Sequence, residues 1–237
     1  MVVFAFVGVE IVGLTASETA NPEKDIPKAI NTLPVRIGLF YIGSMLAIMA
    51  VYPWNQIKTT SSPFVQVFAA IGVMGAAGIL NFVVLPAAMS ATNSAISSTS
   101  RSFYALARGG NAPKKLGELS NKAIPKNALT ISSLILFIVV ILNYLMPARI
   151  FDIVSTVSTI NFVVVWLIIM WAHIKYRQAN KKKLGAFKMP GFPFTSWLTI
   201  LFYLAVLVIL FFIPSTRLPL IISALFIVFL WFIYKIV

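Results

Sequence analysis

Long runs of apolar residues without charge dominate the pattern of the chain. A membrane-spanning helix needs about 20 mostly apolar residues, so each charge-free interval can be compared with that length. Five intervals are long enough or nearly so, and they cover residues 37–57, 127–148, 153–174, 189–216 and 218–234. The pattern predicts one membrane-spanning helix in each of them.

Residues 59–100 form a further charge-free interval that is too long for one span. We place a break at its three glycines, Gly72, Gly75 and Gly78. Before the break, Pro63 follows Ser62 and predicts the start of a short amphipathic helix on the outer surface. After the break, the pattern predicts a sixth span as a long helix. Residues 2–16 are also apolar, but they are too few to cross a bilayer alone.

The basic residues alternate between the two ends of the predicted spans. Lys and Arg number 16 in one set of alternate connections and 3 in the other. Cytoplasmic connections carry the excess of Lys and Arg, so the asymmetry predicts a cytoplasmic C-terminus and places Met1 toward the outside. Because the chain begins outside and within an apolar element, we expect Met1 to be an internal methionine or an artificial start.

Composition supports a membrane location. Hydrophobic residues make up 59% of the 237 residues and charged residues 11%, with a mean hydropathy of +0.94, whereas soluble domains contain about 25% charged residues. The net charge of +13 comes from short basic clusters between apolar runs, which is typical of a membrane surface rather than a nucleic-acid site. We expect contact with membrane lipid and no nucleic-acid partner.

The sequence is poor in the residues that most enzyme and metal chemistry requires. It has no cysteine and a single histidine, His173. A thiol nucleophile, a disulfide and an all-protein zinc site are therefore not expected. We predict no enzyme activity, no metal and no cofactor.

One acidic residue interrupts the first apolar run, FAFVGVEIVGL. This residue, Glu10, lies between Gly8 and Gly13, and glycine tolerates irregular backbone of the kind that transporters use to build midplane sites. A charge at the centre of a membrane helix costs about 2.5 to 3.5 kcal/mol, and loss of water favours the neutral form of a carboxylate. Glu10 is therefore suited to take up and release a proton. The alternative is that it pairs with a basic residue elsewhere or lies near the outer interface.

Two long motifs resemble one family of membrane transporters. The first, from Phe4, is FAFVGVEIVGLTASETANPEKDIPKAI, and the second, from Asn81, is NFVVLPAAMSATNSAISSTSRSFYALARGGNAPK. They resemble segments 6 and 8, with their cytoplasmic continuations, of amino-acid permeases in the amino acid–polyamine–organocation superfamily, nearest to its bacterial amino acid transporter family. The resemblance covers the whole chain, from the middle of segment 6 to segment 12.

The resemblance implies an all-α membrane protein that forms part of a five-plus-five inverted-repeat transporter bundle. About six full transmembrane helices and the remnant of a broken helix would make one transmembrane domain over 1–237. The expected bounds are 1–18 for the second half of broken segment 6, 63–75 for the external amphipathic helix, and 33–54, 77–107, 127–146, 151–176, 194–213 and 217–235 for segments 7 to 12. By this resemblance the N-terminal half of the transporter is missing and is an expected partner.

The resemblance also implies site residues at the broken helix. Phe4 matches an aromatic gate over the substrate, residues 7–12 match the unwound stretch, and Glu10 matches a carboxylate implicated in proton coupling. The substrate-binding residues expected in this segment are Phe4, Phe6, Val7, Gly8 and Glu10.

Polar stripes on two other helices are further candidates for substrate binding. Segment 8 has polar residues at helical spacings of three and four, namely Ser90, Asn93, Ser94 and Ser97. In segment 10, Ser155 and Ser158 share a helix face. The alternative is that these small residues allow close packing and bond across helices. Pro86 departs from the small polar residue usual in the family and predicts a kink.

We therefore expect the C-terminal part of a proton-coupled permease that imports small neutral amino acids, such as D-alanine, D-serine or glycine, across a bacterial cytoplasmic membrane. The substrate and the proton follow from the resemblance. An inactive membrane remnant of a truncated or split gene is the alternative. Seven apolar segments also resemble a seven-helix receptor, but the first is too short and no D-R-Y or N-P-x-x-Y motif follows the relevant spans.

The charge asymmetry makes a direct prediction about topology. Because the chain has no cysteine of its own, single cysteines can report which side of the membrane they face. A Lys182→Cys variant should react with a membrane-impermeant thiol reagent only after permeabilisation, and Lys58→Cys should react in intact cells. The opposite labelling pattern would reverse the orientation.

Overall fold

The computed structural model describes residues 2–14, 16, 19–57, 62–73, 75–146, 150–180 and 188–236. Residues 1 and 18, the expected limits of the first element, lie outside the described residues. Lys58 and Lys182, the two positions chosen for labelling, lie outside them as well.

The described part of the chain is all-α, and it contains no β-strand. Its α-helices are α1 Ile11–Leu14, α2 Pro22–Ile37, α3 Gly43–Val51, α4 Pro63–Ala70, α5 Ala76–Arg108, α6 Lys126–Leu145, α7 Ile150–Ala179, α8 Phe194–Phe212 and α9 Arg217–Ile236. A π-helical turn at Gly38–Ile42 joins α2 to α3, so the two form one continuous helical stretch. Short 3₁₀ turns cover Val2–Phe6, Trp54–Gln56, Lys114–Gly117 and Pro214–Thr216.

Among the described residues, six helical stretches are long and apolar enough to cross a membrane. They cover residues 22–51, 77–108, 126–145, 150–179, 194–212 and 214–235. Many of their large apolar side chains, such as Phe82 and Tyr144, are exposed. Apolar surface on this scale would be unfavourable in water but not against lipid tails. The protein is therefore an all-α membrane protein.

The first spanning stretch begins earlier than the sequence predicts. Residue 33 is the expected start of segment 7, whereas α2 begins at Pro22. Proline is favourable at the first helical position because its missing N–H has no partner there. Glu23 and Asp25 lie in the first turn, where the helix dipole favours negative charge. Counting only charge-free residues excluded this charged turn.

The chain divides into two compact units. Unit 2 comprises residues 11–100, which include α1 to α4 and most of α5. Within it, α1 packs against α2, and α3 packs against α4. α5 is a long helix of 33 residues with Pro86 inside it.

Unit 1 comprises residues 1–10 and 101–237, and α7 is its central helix. Both α8 and α9 pack against α7, and Val163 on α7 is fully buried. Ser196 on α8 and Ser223 on α9 are also buried, and Asn161 on α7 donates a hydrogen bond to the Ser223 hydroxyl at 3.3 Å. Small buried residues of this kind let membrane helices approach closely. The three helices form a packed scaffold for the residues described next.

Candidate functional site

The first apolar element of unit 1 is not a continuous α-helix. The 3₁₀ turn Val2–Phe6 is followed by turn backbone at residues 7–10, and an α-helix begins only at Ile11. Gly8 has a φ of +107°, a conformation that is accessible to glycine and strained for residues with a Cβ. A break around Glu10 is therefore present in the backbone over residues 7–10, and Gly8 makes it possible. Residues 11 and 12 were also expected to be unwound, but they are helical and belong to α1.

The Glu10 carboxylate folds back over this unwound stretch. The Gly8 N–H lies within hydrogen-bond distance of both carboxylate oxygens, at 3.1 Å from Oε1 and 3.2 Å from Oε2. The indole Nε1–H of Trp166 also donates to Oε2, at 3.3 Å. One backbone amide and one side chain from α7 therefore converge on the carboxylate. Donors of this kind stabilise a negative charge.

Trp166 is held in place by other aromatic rings. Only 9% of the residue is exposed. Its ring centroid lies 5.5 Å from that of Tyr203 on α8 and 6.2 Å from that of Phe162 on its own helix. Both distances are typical of favourable aromatic pairs. The indole that reaches Glu10 is thus fixed by packing between α7 and α8.

The spacing of residues along α7 is a sequence signal that places Trp166 on the same face as the polar stripe. Composition alone indicates only a packing or interfacial role for this residue. Ser155, Thr159, Phe162 and Trp166 recur at steps of four, three and four residues, so they lie on one face of α7. The polar stripe predicted in segment 10 therefore ends at the indole that contacts Glu10. What the spacing could not show is that this face meets the broken helix.

A cavity of about 160 Å³ lies within unit 1 near the start of the chain. It brings together three of the predicted site residues, Phe4, Ser155 and Ser158, which come from the 3₁₀ turn and from α7. The rest of its lining is mostly apolar and comes from α6 and α7: Val139, Asn143, Ile150, Phe151 and Val154. Phe6 and Val7 are half-buried, and neither is part of the cavity lining.

The two serines of the cavity differ in what their hydroxyls do. Ser155 is 3% exposed and donates to the Asp152 carbonyl at 3.3 Å, and its own carbonyl accepts from Thr159 at 2.7 Å. These bonds within α7 satisfy Ser155 locally, as in the packing alternative. Ser158 is half-buried and is the better placed of the two to meet a ligand.

The predicted residues of segment 8 lie in unit 2, on α5. Ser97 is half-buried, and the other three are exposed, namely Ser90, Asn93 and Ser94. Pro86 lies one turn before this stripe, inside the helix. The four side chains therefore present a polar strip on α5.

The described residues contain no group of three or more His, Asp or Glu side chains that could hold a metal ion. Oxygen and nitrogen ligands of that kind are what metal sites in proteins require. Within that part of the chain, Glu10 is surrounded by hydrogen-bond donors rather than by further acidic ligands.

The chain matches the Amino acid permease family over residues 1–237. It is 50% identical to the amino-acid permease AapA of Bacillus subtilis (strain 168), over 100% of this chain and 52% of that protein. It is 41% identical to the D-serine/D-alanine/glycine transporter of Escherichia coli (strain K12), over 98% of this chain and 49% of that protein.

A third relative is the L-asparagine permease of Salmonella typhimurium (strain LT2), which is 42% identical over 89% of this chain and 43% of that protein. The chain spans about half the length of the curated relatives it matches. No solved structure matches it.

The backbone conformation of Gly8 yields a stability prediction. We expect Gly8→Ala to destabilise the protein by about 1–3 kcal/mol, because a Cβ is strained at this φ. That cost corresponds to a loss of roughly 2–10 °C in Tm, measured by thermal unfolding in detergent. Gly13→Ala is the matched control, since Gly13 lies in α1 with open space around its Cβ position. Equal Tm values for the two variants would contradict the strained turn.

Proposed function

Because the chain belongs to the amino acid permease family, we propose that it forms the C-terminal part of a proton-coupled permease importing small neutral amino acids, such as D-alanine, D-serine or glycine. The family and the named relatives are transporters rather than enzymes. Their names agree on amino acids and differ on which one: D-serine, D-alanine and glycine for one, L-asparagine for another.

The observation that carries the proposal is the Glu10 carboxylate on unwound backbone inside an apolar element. Ionisable residues in membrane segments are costly and are usually kept for function. Coupling to protons requires a group that gains and loses a proton during the cycle, and Glu10 is the acidic residue of this element. The unwound stretch at residues 7–10 also frees backbone N–H and C=O groups, which transporters of the broken-helix type use to hold charged substrates.

The cavity in unit 1 supports a small and uncharged side chain on the substrate. Among the described lining residues none is charged, and the polar ones are Asn143, Ser155 and Ser158. A charged substrate side chain would lose its hydration there without a partner, which is unfavourable. Phe4 lines the same cavity, in keeping with a gate over the substrate. Within the same proposal, Phe6, Val7 and Gly8 of unit 1 bind substrate as well. The polar strip on α5 in unit 2 is also proposed to bind substrate: Ser90, Asn93, Ser94 and Ser97.

The rest of the transporter would come from segments equivalent to the other half of the relatives, since this chain spans only about half of each. In a five-plus-five bundle the two repeats meet at the substrate, so both halves contribute to one site. The excess of 16 basic residues over 3 supports a cytoplasmic C-terminus, and we propose a bacterial cytoplasmic membrane as the location. The spanning helices contact membrane lipid.

The coupling role can be tested by removing the charge of Glu10. In a transporter assembled from this chain and the unmatched part of the permease AapA, Glu10→Gln should abolish pH-driven accumulation of radiolabelled glycine or alanine and leave substrate binding detectable. Glu23→Gln is the control, because Glu23 is exposed in the first turn of α2, and it should accumulate substrate normally. Unchanged accumulation and pH dependence in Glu10→Gln would assign Glu10 a structural role.

The division of the site makes a second prediction about uptake. Cells that make this chain alone should accumulate no more radiolabelled glycine, serine or alanine than cells with an empty vector, because half of the site would lack its partner. Cells that also make the complementary part of AapA should accumulate substrate, because membrane helices can insert independently and associate afterwards. Uptake by the chain alone would contradict the need for a second half. No uptake by either would favour an inactive remnant.

A further inference from the structure

We propose that Trp166 is the positioning residue for Glu10. Its indole N–H donates to Oε2 and holds the carboxylate in one position, so that Oε1 receives the proton. This inference rests on the proposed function of Glu10 as the coupling residue. Trp166 lies 156 residues away in the sequence from Glu10, and neither the family match nor the names of the relatives assign it a role.

The hydrogen bonds distinguish the two carboxylate oxygens. A carboxylate oxygen has two lone pairs with which to accept. Oε2 accepts from the Gly8 N–H at 3.2 Å and from the Trp166 indole at 3.3 Å, so both of its lone pairs are used. Among the hydrogen bonds of the described residues, Oε1 accepts only from the Gly8 N–H, at 3.1 Å. The free lone pair of Oε1 is therefore where a proton, or the ammonium group of an amino acid, would bind.

The indole is suited to a positioning role because its chemistry does not change during a proton cycle. Trp can donate a hydrogen bond but cannot accept one, and it does not titrate. Its ring is buried and packs against the tilted rings of Tyr203 and Phe162, so the N–H keeps one direction. A fixed donor beside a group that gains and loses a proton defines where that group lies in each state.

The contact also links the unwound stretch to the scaffold of unit 1. Trp166 belongs to α7, and the nearest titratable side chain stacked on it is Tyr203 of α8. Within the described part of the chain, Glu10 forms no ion pair, and its hydrogen-bond partners are the Gly8 amide and the Trp166 indole. If residues 7–10 shift relative to α7, the bond to Oε2 must break or α7 must follow. Trp166 thereby ties the position of the carboxylate to that of α7.

The contact itself can be tested by NMR without measuring transport. The chain is labelled with ¹⁵N-tryptophan and placed in lipid nanodiscs, where its five tryptophans give five indole N–H signals. Trp166→Phe identifies the Trp166 signal by its loss. Glu10→Ala should shift that signal upfield, because the indole loses its charged acceptor, and should leave the other four in place. Glu23→Ala is the control and should move none of them. If the Trp166 signal keeps its chemical shift in Glu10→Ala, the proposal is overturned.

The positioning role is tested in the two-part transporter. Trp166→Phe keeps an aromatic ring for packing and removes only the N–H donor. Since a hydrogen bond to a charged group has a sizeable net effect, we expect kcat for proton-driven uptake to fall about tenfold, with KM changed by less than about twofold. Trp171→Phe, on the same helix with an exposed ring, is the control and should keep kcat within about twofold.

The outcomes separate this inference from the proposed function. Wild-type kcat in Trp166→Phe, with a working unaltered transporter, shows that Trp166 does not position the coupling group and leaves the function of Glu10 intact. A rise in KM as large as the expected fall in kcat, with kcat itself unchanged, assigns Trp166 to substrate binding and overturns the proposal. If the unaltered two-part transporter takes up no substrate, the proposed function fails, and the NMR result alone decides whether Trp166 holds the carboxylate.

Discussion

A carboxylate in an apolar stretch must find hydrogen-bond donors, and the local structure around Glu10 supplies them. The Gly8 amide can reach both carboxylate oxygens because the backbone turns at a φ of +107°. An uninterrupted α-helix would engage that amide in its own hydrogen-bond ladder. The amide freed by the break donates to the carboxylate. This one interaction therefore lowers both the cost of breaking the helix and the cost of placing the charge there.

The second donor depends on packing far from Glu10 in the sequence. Trp166 reaches Oε2 only because α7 is fixed between α8 and α9. Tyr203 packs against the indole, and the hydrogen bond from half-buried Asn161 to buried Ser223 joins α7 to α9. Lipid offers no hydrophobic force to hold helices together, so small residues and interhelical hydrogen bonds have this role in membranes. The polar side chains of α7 thus help to assemble unit 1, and the packing of this unit orients the Trp166 indole toward Glu10.

The polar residues of α7 also show that a polar stripe need not have a single purpose. Ser155 and Thr159 are buried, and their hydroxyls bond to carbonyls one turn earlier in the same helix. Ser158 is half-buried, and both Ser155 and Ser158 line the cavity beside Phe4. The hydrogen bonds of Ser155 and Thr159 fit the packing interpretation of the stripe, and ligand contact by Ser158 stays a prediction. Side chains only three residues apart on a helix can have different partners.

The sequence by itself determined the properties that depend on local composition. The lengths of its apolar runs predict spanning helices, and the structure contains six stretches of that kind. The motifs around Glu10 and from Asn81 predict the permease family, which the family match confirms. The flanking glycines likewise indicate the break at Glu10, because backbone freedom is a property of glycine itself.

Only the tertiary structure decided which groups meet. The start of α2 at Pro22 is a local feature that a count of charge-free residues misses, since the favourable first turn there is charged. Periodicity, in contrast, could not show that Trp166 donates to Glu10, because helical spacing defines a face of α7 but not what lies against it. That contact spans 156 residues and depends on how α7, α8 and the unwound stretch pack. Local sequence sets which elements form, and packing between distant elements sets the site.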